Sequence, residues 1–222
     1  MNNSVSNTAR LLWAGLRALL VLTLVTGVLY PLAVTGVAQG LFHDKANGSE
    51  VTADGRVVGS SLIGQAYDLP LKAGQQTPAA DLKWFQGRPR NGLGTNSVNT
   101  RYRLLLSGAT NRAGDNQQLI QWVKDARAAV VRDNSTATYR VKPSRIPADA
   151  VTSSGSGLDP DISPQYADIQ VHRVAERNGL PTARVQKLVD EHTEGRTLGF
   201  LGEPRVNVLA LNIALKELVA EH

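Results

Sequence analysis

The 222-residue chain has no cysteine, which excludes a disulfide framework, thiolate ligation of zinc and a cysteine nucleophile. A surplus of one charge is missing too. The formal net charge is +5, but Arg10 and Arg17 precede every acidic residue. Set aside from the 24 basic residues, they leave 22 against 19 acidic ones, too even a balance for a nucleic-acid-binding face. The four histidines, His43, His172, His192 and His222, have no HExxH or comparable ligand spacing. No internal repeat is visible. At 42% hydrophobic residues the chain can bury one ordinary core.

What the chain does have is a long apolar run. Residues 18–42, "ALLVLTLVTGVLYPLAVTGVAQGLF", carry no charge, and roughly 20 residues suffice to cross a hydrocarbon core. Gly27 and Pro31 would end a short soluble helix, but a membrane helix tolerates both. Small residues at Ala33-Val34-Thr35 and Gly36-Val37-Ala38 resemble signal cleavage sites, yet the run exceeds the usual signal core of about 7 to 15 residues. A retained anchor is the better reading. Arg10 and Arg17 on one side, and Asp44 with Lys45 on the other, put the N-terminus in the cytoplasm by the positive-inside rule. The expected organisation is a short cytoplasmic N-terminus (1–17), a transmembrane helix (18–42) and one extracytoplasmic domain (43–222).

That domain reads as α+β, strands first and helices in the second half. Asp54-Gly55 between two runs of strand formers is a hairpin signal. A short aromatic strand is expected near Trp84 and Phe85, followed by a long Gly/Asn/Arg-rich loop. Asp115 with Gln118 makes a capping-box pattern opening a helix to about Arg132, with Leu119, Val123, Ala126 and Val130 at helical spacing. Ser163-Pro164 supplies an N-cap and first-turn proline for a helix with Ala167, Val171, Val174 and Ala175 on one face, stopping at Asn178-Gly179. "PTARVQKLVDEH" gives another helix. A terminal helix carries Val208, Leu211, Leu215, Leu218 and Val219 on its apolar stripe.

One segment invites chemistry. "SSGSGLDPDISP" feeds a helix, but no Gly-Lys-Ser/Thr follows it, so it is not a P-loop. Ser154 stands where a nucleophile elbow around Ser156 needs glycine. Two readings remain: a structural turn, or a small-anion site on backbone N–H groups at the helix N-terminus. Asp159 and Asp161 are either paired carboxylates or ordinary turn residues. Asp168 and His172 share a helical face, where a solvated surface pair is expected. "VAERNGLPTARVQKLV" has a helix-turn-helix outline, but the topology and charge balance argue against DNA reading.

In order along the chain, "LYPLAVTGVAQGLF", "ANGS", "GSSLIGQ", "FQGRPR", "TSSGSGLDPDISPQYADIQVHRVA" and "LGEPRVNVLALNIALKEL" closely resemble the C subunit of the Kdp-type potassium-transporting ATPase, from about Leu12 to Leu218. Departures are modest: Ser153 where the family usually has alanine, Asp161 where it commonly has histidine or asparagine, Arg90 where it has serine, and "GLGTN" for a "GGSN"-like stretch.

The resemblance implies a non-catalytic, single-pass accessory subunit of a bacterial inner-membrane complex that takes up potassium. Its partners would be a channel-like potassium-binding subunit, a P-type ATPase subunit that hydrolyses ATP and a very small helical subunit. No cofactor would be firmly bound; ATP would enter through the complex and potassium is the transported ion. The family's C subunit is described as a catalytic chaperone that raises nucleotide affinity, which would make Ser154, Gly155, Ser156 and Gly157 a nucleotide or partner loop. The alternative, which the topology makes physically easier, is an extracytoplasmic lid or assembly clamp over the potassium entrance without nucleotide contact; both stay open. A membrane-anchored hydrolase acting alone is the more distant alternative.

Overall fold

The computed structural model describes residues 2–72, 74, 77–95 and 105–222, with backbone alone for residues 2, 3 and 95. The chain divides into two units, Met1–Glu50 and Val51–His222.

The first unit is a continuous apolar helix. Helix α1 (Asn2–Leu24) passes through one π-helical turn (Val25–Leu29) into α2 (Tyr30–Leu41), and the four-residue α3 (His43–Ala46) follows. The span Ser4–Leu41 reaches a mean hydropathy of 2.1, and none of its most apolar window is buried. Its 38 residues extend over about 57 Å at the α-helical rise, well beyond a hydrocarbon core of about 30 Å. Helicity therefore continues upstream of the uncharged run, through Arg17 and Arg10. The capping types Ser4, Ser6, Asn7 and Thr8 and the weak breaker Gly15 lie within the helix without ending it, whereas hydrophobicity ends at the first charge. The π turn has a local cause. Pro31 offers no N–H, and its ring crowds the carbonyl four residues back, that of Gly27. The ladder widens just upstream, where Tyr30 N–H reaches the Val25 carbonyl, and Thr26 Oγ1 donates to the Leu22 carbonyl at 2.7 Å.

The second unit mixes short strands with longer helices. Strands β1 (Glu50–Ala53) and β2 (Arg56–Ser60) pair through the expected turn. Asp54 (φ 51°) and Gly55 (φ 71°) are both left-handed, as the two-residue hairpin turn matching strand twist requires. Within the expected long loop, β3 (Gly94–Thr95) pairs antiparallel with β4 (Leu105–Leu106); residues 96–104 lie outside the described residues. A three-stranded antiparallel sheet forms in the helical half, where no strand is expected. Its central strand β7 (Arg205–Asn207) lies between β5 (Asp161–Ile162) and β6 (Thr193–Glu194). Strands of two or three residues carry no readable alternation.

Four helices complete the unit: α4 (Gln117–Asn134), α5 (Pro164–Asn178), α6 (Thr182–Glu191) and α7 (Val208–Ala220). The α5 boundaries follow the local code: Ser163 Oγ accepts from Tyr166 N–H at 3.2 Å, and Gly179 closes the helix in a left-handed conformation. The start of α4 differs from the Asp115/Gln118 box by one residue. Asn116 is the cap, its Oδ1 accepting from the N–H groups of Gln118 and Leu119 at 3.1 Å. Helix α5 is buried around most of its circumference, from Tyr166 to Ala175, packing against α4 and α6, while α6 packs against α7. All four residues of its expected apolar face, Ala167, Val171, Val174 and Ala175, are buried.

Trp84 and Phe85 are not in a strand. Phe85 is completely buried, and its backbone pairs with a side chain. Phe85 N–H donates to Asn212 Oδ1 at 2.9 Å, and Asn212 Nδ2 donates back to the Phe85 carbonyl at 2.9 Å. Gln170 does the same for the next residue: Gln86 N–H donates to Gln170 Oε1 at 2.7 Å, and Gln170 Nε2 to the Gln86 carbonyl at 3.0 Å. Two helix-borne amides thus take the place of a neighbouring strand, satisfying buried backbone groups that would otherwise be costly.

Candidate functional site

The clamp on Phe85 and Gln86 fixes where the following residues go. After Gly87, Arg88 turns into the segment 152–163, and its guanidinium brackets the Ser/Gly loop. Nη1 binds Asp159 Oδ2 at 2.9 Å, while Nε and Nη2 donate to the carbonyls of Thr152 and Ser153 at 3.4 Å. The loop closes on itself between these anchors. Ser154 Oγ accepts from Gly157 N–H at 3.0 Å, Ser156 Oγ accepts from Leu158 N–H at 3.1 Å, and the two hydroxyls lie 3.3 Å apart. Outward bonds complete the brace: the Ser156 carbonyl accepts from Gly108 N–H and Ser107 Oγ, both at 2.9 Å, and Gly64 N–H donates to the Leu158 carbonyl at 2.7 Å.

Two glycines are required by this packing. Gly157 has φ 68°, and a Cβ there would come within 2.7 Å of Leu93. At Gly64 a Cβ would approach the Asp159 carbonyl oxygen to 2.3 Å. Either side chain would push the loop off its support.

The predicted loop residues Ser154, Gly155, Ser156 and Gly157 are therefore together in space, but one of their four amides, that of Gly157, is taken by the Ser154 hydroxyl, and the next amide along, that of Leu158, by the Ser156 hydroxyl. The cleft beside them, lined by Gly64, Arg88, Arg90 and Asp159 among others, holds about 10 Å³, the space of a single water. A cleft of that size has no room for a nucleotide. The guanidinium Nε of Arg90 is buried there without a hydrogen-bond partner.

Asp159 and Asp161 do not form a carboxylate pair for proton transfer. Asp159 is held by Arg88, and its Oδ1 accepts from Asp161 N–H at 3.1 Å, a turn geometry. Asp161 binds Asn207 Nδ2 at 3.1 Å and Arg205 Nε at 3.3 Å. Burial is the main influence on Asp161 and raises its carboxyl above the usual range, with Asn207 and Arg205 pulling the other way. A raised folded-state pKa stabilises the fold at acid pH, and that contribution disappears as pH rises through the folded value. Asp161→Asn, which keeps an acceptor for Asn207, is accordingly expected to match or exceed the parent in urea midpoint at pH 7. The parent should gain on it as pH falls to about 4; a variant clearly weaker at pH 7 would show that the Arg205 contact outweighs burial.

The expected Asp168–His172 pair is replaced by two separate contacts. Asp168 accepts from Gln186 Nε2 at 2.8 Å, and the His172 ring stacks on Tyr139, centroids 4.0 Å apart and 6° from parallel. The next helix and the preceding connector bring nearer partners than the same face offers. Among the described residues, no group of three or more His, Asp or Glu side chains is placed to hold a metal ion.

Sequence reasoning misses the buried polar residues that build this region: Gln170, Arg173, Asn134 and Asn212. Arg173 donates to Asn134 Oδ1 at 2.8 Å, Gln170 Oε1 at 2.7 Å and the Trp84 carbonyl at 2.9 Å, and also to the Leu82 carbonyl. The available signal is a polar residue within an apolar stripe, as Asn212 stands between Leu211 and Leu215.

Comparison with known proteins agrees with the motifs. Residues 12–217 match the family described as KdpC, K+-transporting ATPase, c chain. The chain is 82% identical to the potassium-transporting ATPase KdpC subunit of Streptomyces avermitilis, over 99% of both chains. It is 74% identical to that of Streptomyces coelicolor, over 99% of this chain and 98% of the relative. The subunit of Gemmatimonas aurantiaca is 46% identical, over 92% of this chain and 94% of that one.

Proposed function

The chain belongs to the KdpC family of K+-transporting ATPase c chains, and on that premise we propose that it is a non-catalytic, single-pass accessory subunit working as an extracytoplasmic assembly clamp. The N-terminus with Arg10 and Arg17 is cytoplasmic, and the unit from Val51 onward stands outside the membrane. Its partners are a channel-like potassium-binding subunit, a P-type ATPase subunit that carries out the hydrolysis and a very small helical subunit.

The observation that carries this reading is the closed Ser/Gly loop. Its hydroxyls hold the loop's own amides at 3.0 and 3.1 Å, and Arg88 neutralises Asp159 beside it. A loop so engaged supports a rigid scaffold better than a nucleotide grip or a carboxylate funnel for cations. The full chain, tagged and extracted in detergent from cells carrying all subunits, should co-purify with the P-type ATPase subunit. On its own it should show no saturable ATP binding up to millimolar concentration. Saturable binding lost in Ser154→Ala/Ser156→Ala would overturn the clamp in favour of the chaperone role; hydrolytic activity without co-purifying partners would favour an independent enzyme.

A further inference from the structure

The connection between β6 and β7 carries large apolar side chains outward. In "RTLGFLGEP", Leu198 is 79% exposed, Phe200 68% and Leu201 51%. This knuckle is built rather than loose. Thr197 and Leu201 exchange both backbone hydrogen bonds at 2.9 Å, and Gly199 N–H donates to the Arg196 carbonyl at 3.0 Å. Leu198 (φ 55°), Gly199 (φ 81°) and Gly202 (φ 78°) are left-handed, a conformation that a leucine resists. Arg196 and Glu203 close its base at 2.7 Å. A strained, pre-formed turn that presents apolar groups to water is the arrangement a binding anchor needs, because little order remains to be imposed on docking.

Charge distinguishes the kinds of occupant. A lipid-seeking tip is rimmed by excess Lys and Arg. Here the base carries two ion pairs, Arg196–Glu203 and Arg205–Glu194, each at 2.7 Å, so the rim is neutral. A neutral polar rim around an apolar centre is the pattern of a protein–protein hot spot. Self-association fits poorly, since three exposed apolar side chains on each copy are far fewer than the roughly 20–30 residues a side of a stable interface.

We propose that Leu198, Phe200 and Leu201 form an anchor that inserts into an apolar pocket on another protein subunit of the transport complex. The inference rests on the accessory-subunit reading. The absence of cysteine makes the test direct, because Phe200→Cys in the full chain introduces the sole thiol. Labelled there with an environment-sensitive fluorophore, the purified complex should emit at shorter wavelength than the isolated chain, and a thiol-directed photocross-linker should join residue 200 to another subunit. Phe200→Ser/Leu201→Ser, which removes exposed side chains only, should lower recovery of the other subunits roughly tenfold or more while leaving the urea midpoint of the isolated chain unchanged. Partners that co-purify while the label stays water-exposed would overturn the anchor and leave the accessory reading intact. Cross-linking to a second copy, or quenching by spin-labelled lipid alone, would also overturn the anchor. Failure of the parent chain to recover any partner would overturn both.

Discussion

An Asn212→Leu variant should lose about 3 kcal/mol of stability, because two backbone groups of Phe85 are left buried without partners at about 1–3 kcal/mol each. Asn212 is 3% exposed and Phe85 is 0% exposed, so water cannot substitute without opening the core. Leucine resembles asparagine in size and suits the apolar stripe of α7, which isolates the hydrogen-bonding deficit from a cavity effect. Urea unfolding of the detergent-solubilised chain, followed by tryptophan fluorescence, measures this directly, since Trp84 adjoins the affected residue. A loss below about 1 kcal/mol would show that the segment around Phe85 finds other partners. The consequence should extend to the candidate site. Phe85 and Gln86 set the position from which Arg88 reaches Thr152, Ser153 and Asp159, so amide exchange at Gly157 and Gly108 should accelerate in the variant.

The parts of this fold that sequence reveals are those whose causes lie within a few residues. Ser163 caps its helix three residues on, Gly179 ends it, and Asp54-Gly55 turns a hairpin; each follows from the local geometry of one turn. The Asn116 cap shows the resolution of such reasoning. Asp115 and Asn116 are both good caps, and only the backbone path decides between neighbours. Asn212 and Gln170 belong to another category. Their partners stand 127 and 84 residues away, and nothing local announces that a segment around Phe85 will borrow side-chain amides instead of pairing as a strand. The candidate loop divides in the same way. Its hydroxyl-to-amide bonds span two or three residues, while the Arg88 brace and the Ser107–Gly108 support come from distant segments.

Arg173→Met should be more damaging still, costing about 3–5 kcal/mol, because several buried acceptors lose a donor at about 1–3 kcal/mol each. Arg173 is 2% exposed, and its hydrogen-bond partners are all uncharged: Asn134, Gln170 and the carbonyls of Leu82 and Trp84. Burial is the dominant influence on it and lowers its pKa to about 10. A base whose folded-state pKa is depressed makes its charged form a cost to the native state at neutral pH, and that cost is relieved as pH rises through the folded value. Truncation nevertheless harms more than the charge does, because methionine leaves Asn134 Oδ1 and the Leu82 carbonyl without their donor and takes one of two donors from Gln170 Oε1 and the Trp84 carbonyl. Arg173→Lys, which restores charge and donors without the planar fork, should recover only part of the loss. The sign of the pH effect separates this account from a simple packing defect. Between neutral pH and just above pH 10, the stability gap between parent and Arg173→Met should widen, since the parent alone sheds its buried charge. A gap that stays constant would mean that the guanidinium is fully compensated where it lies, and that α4, α5 and the Leu82–Trp84 segment are joined by packing alone.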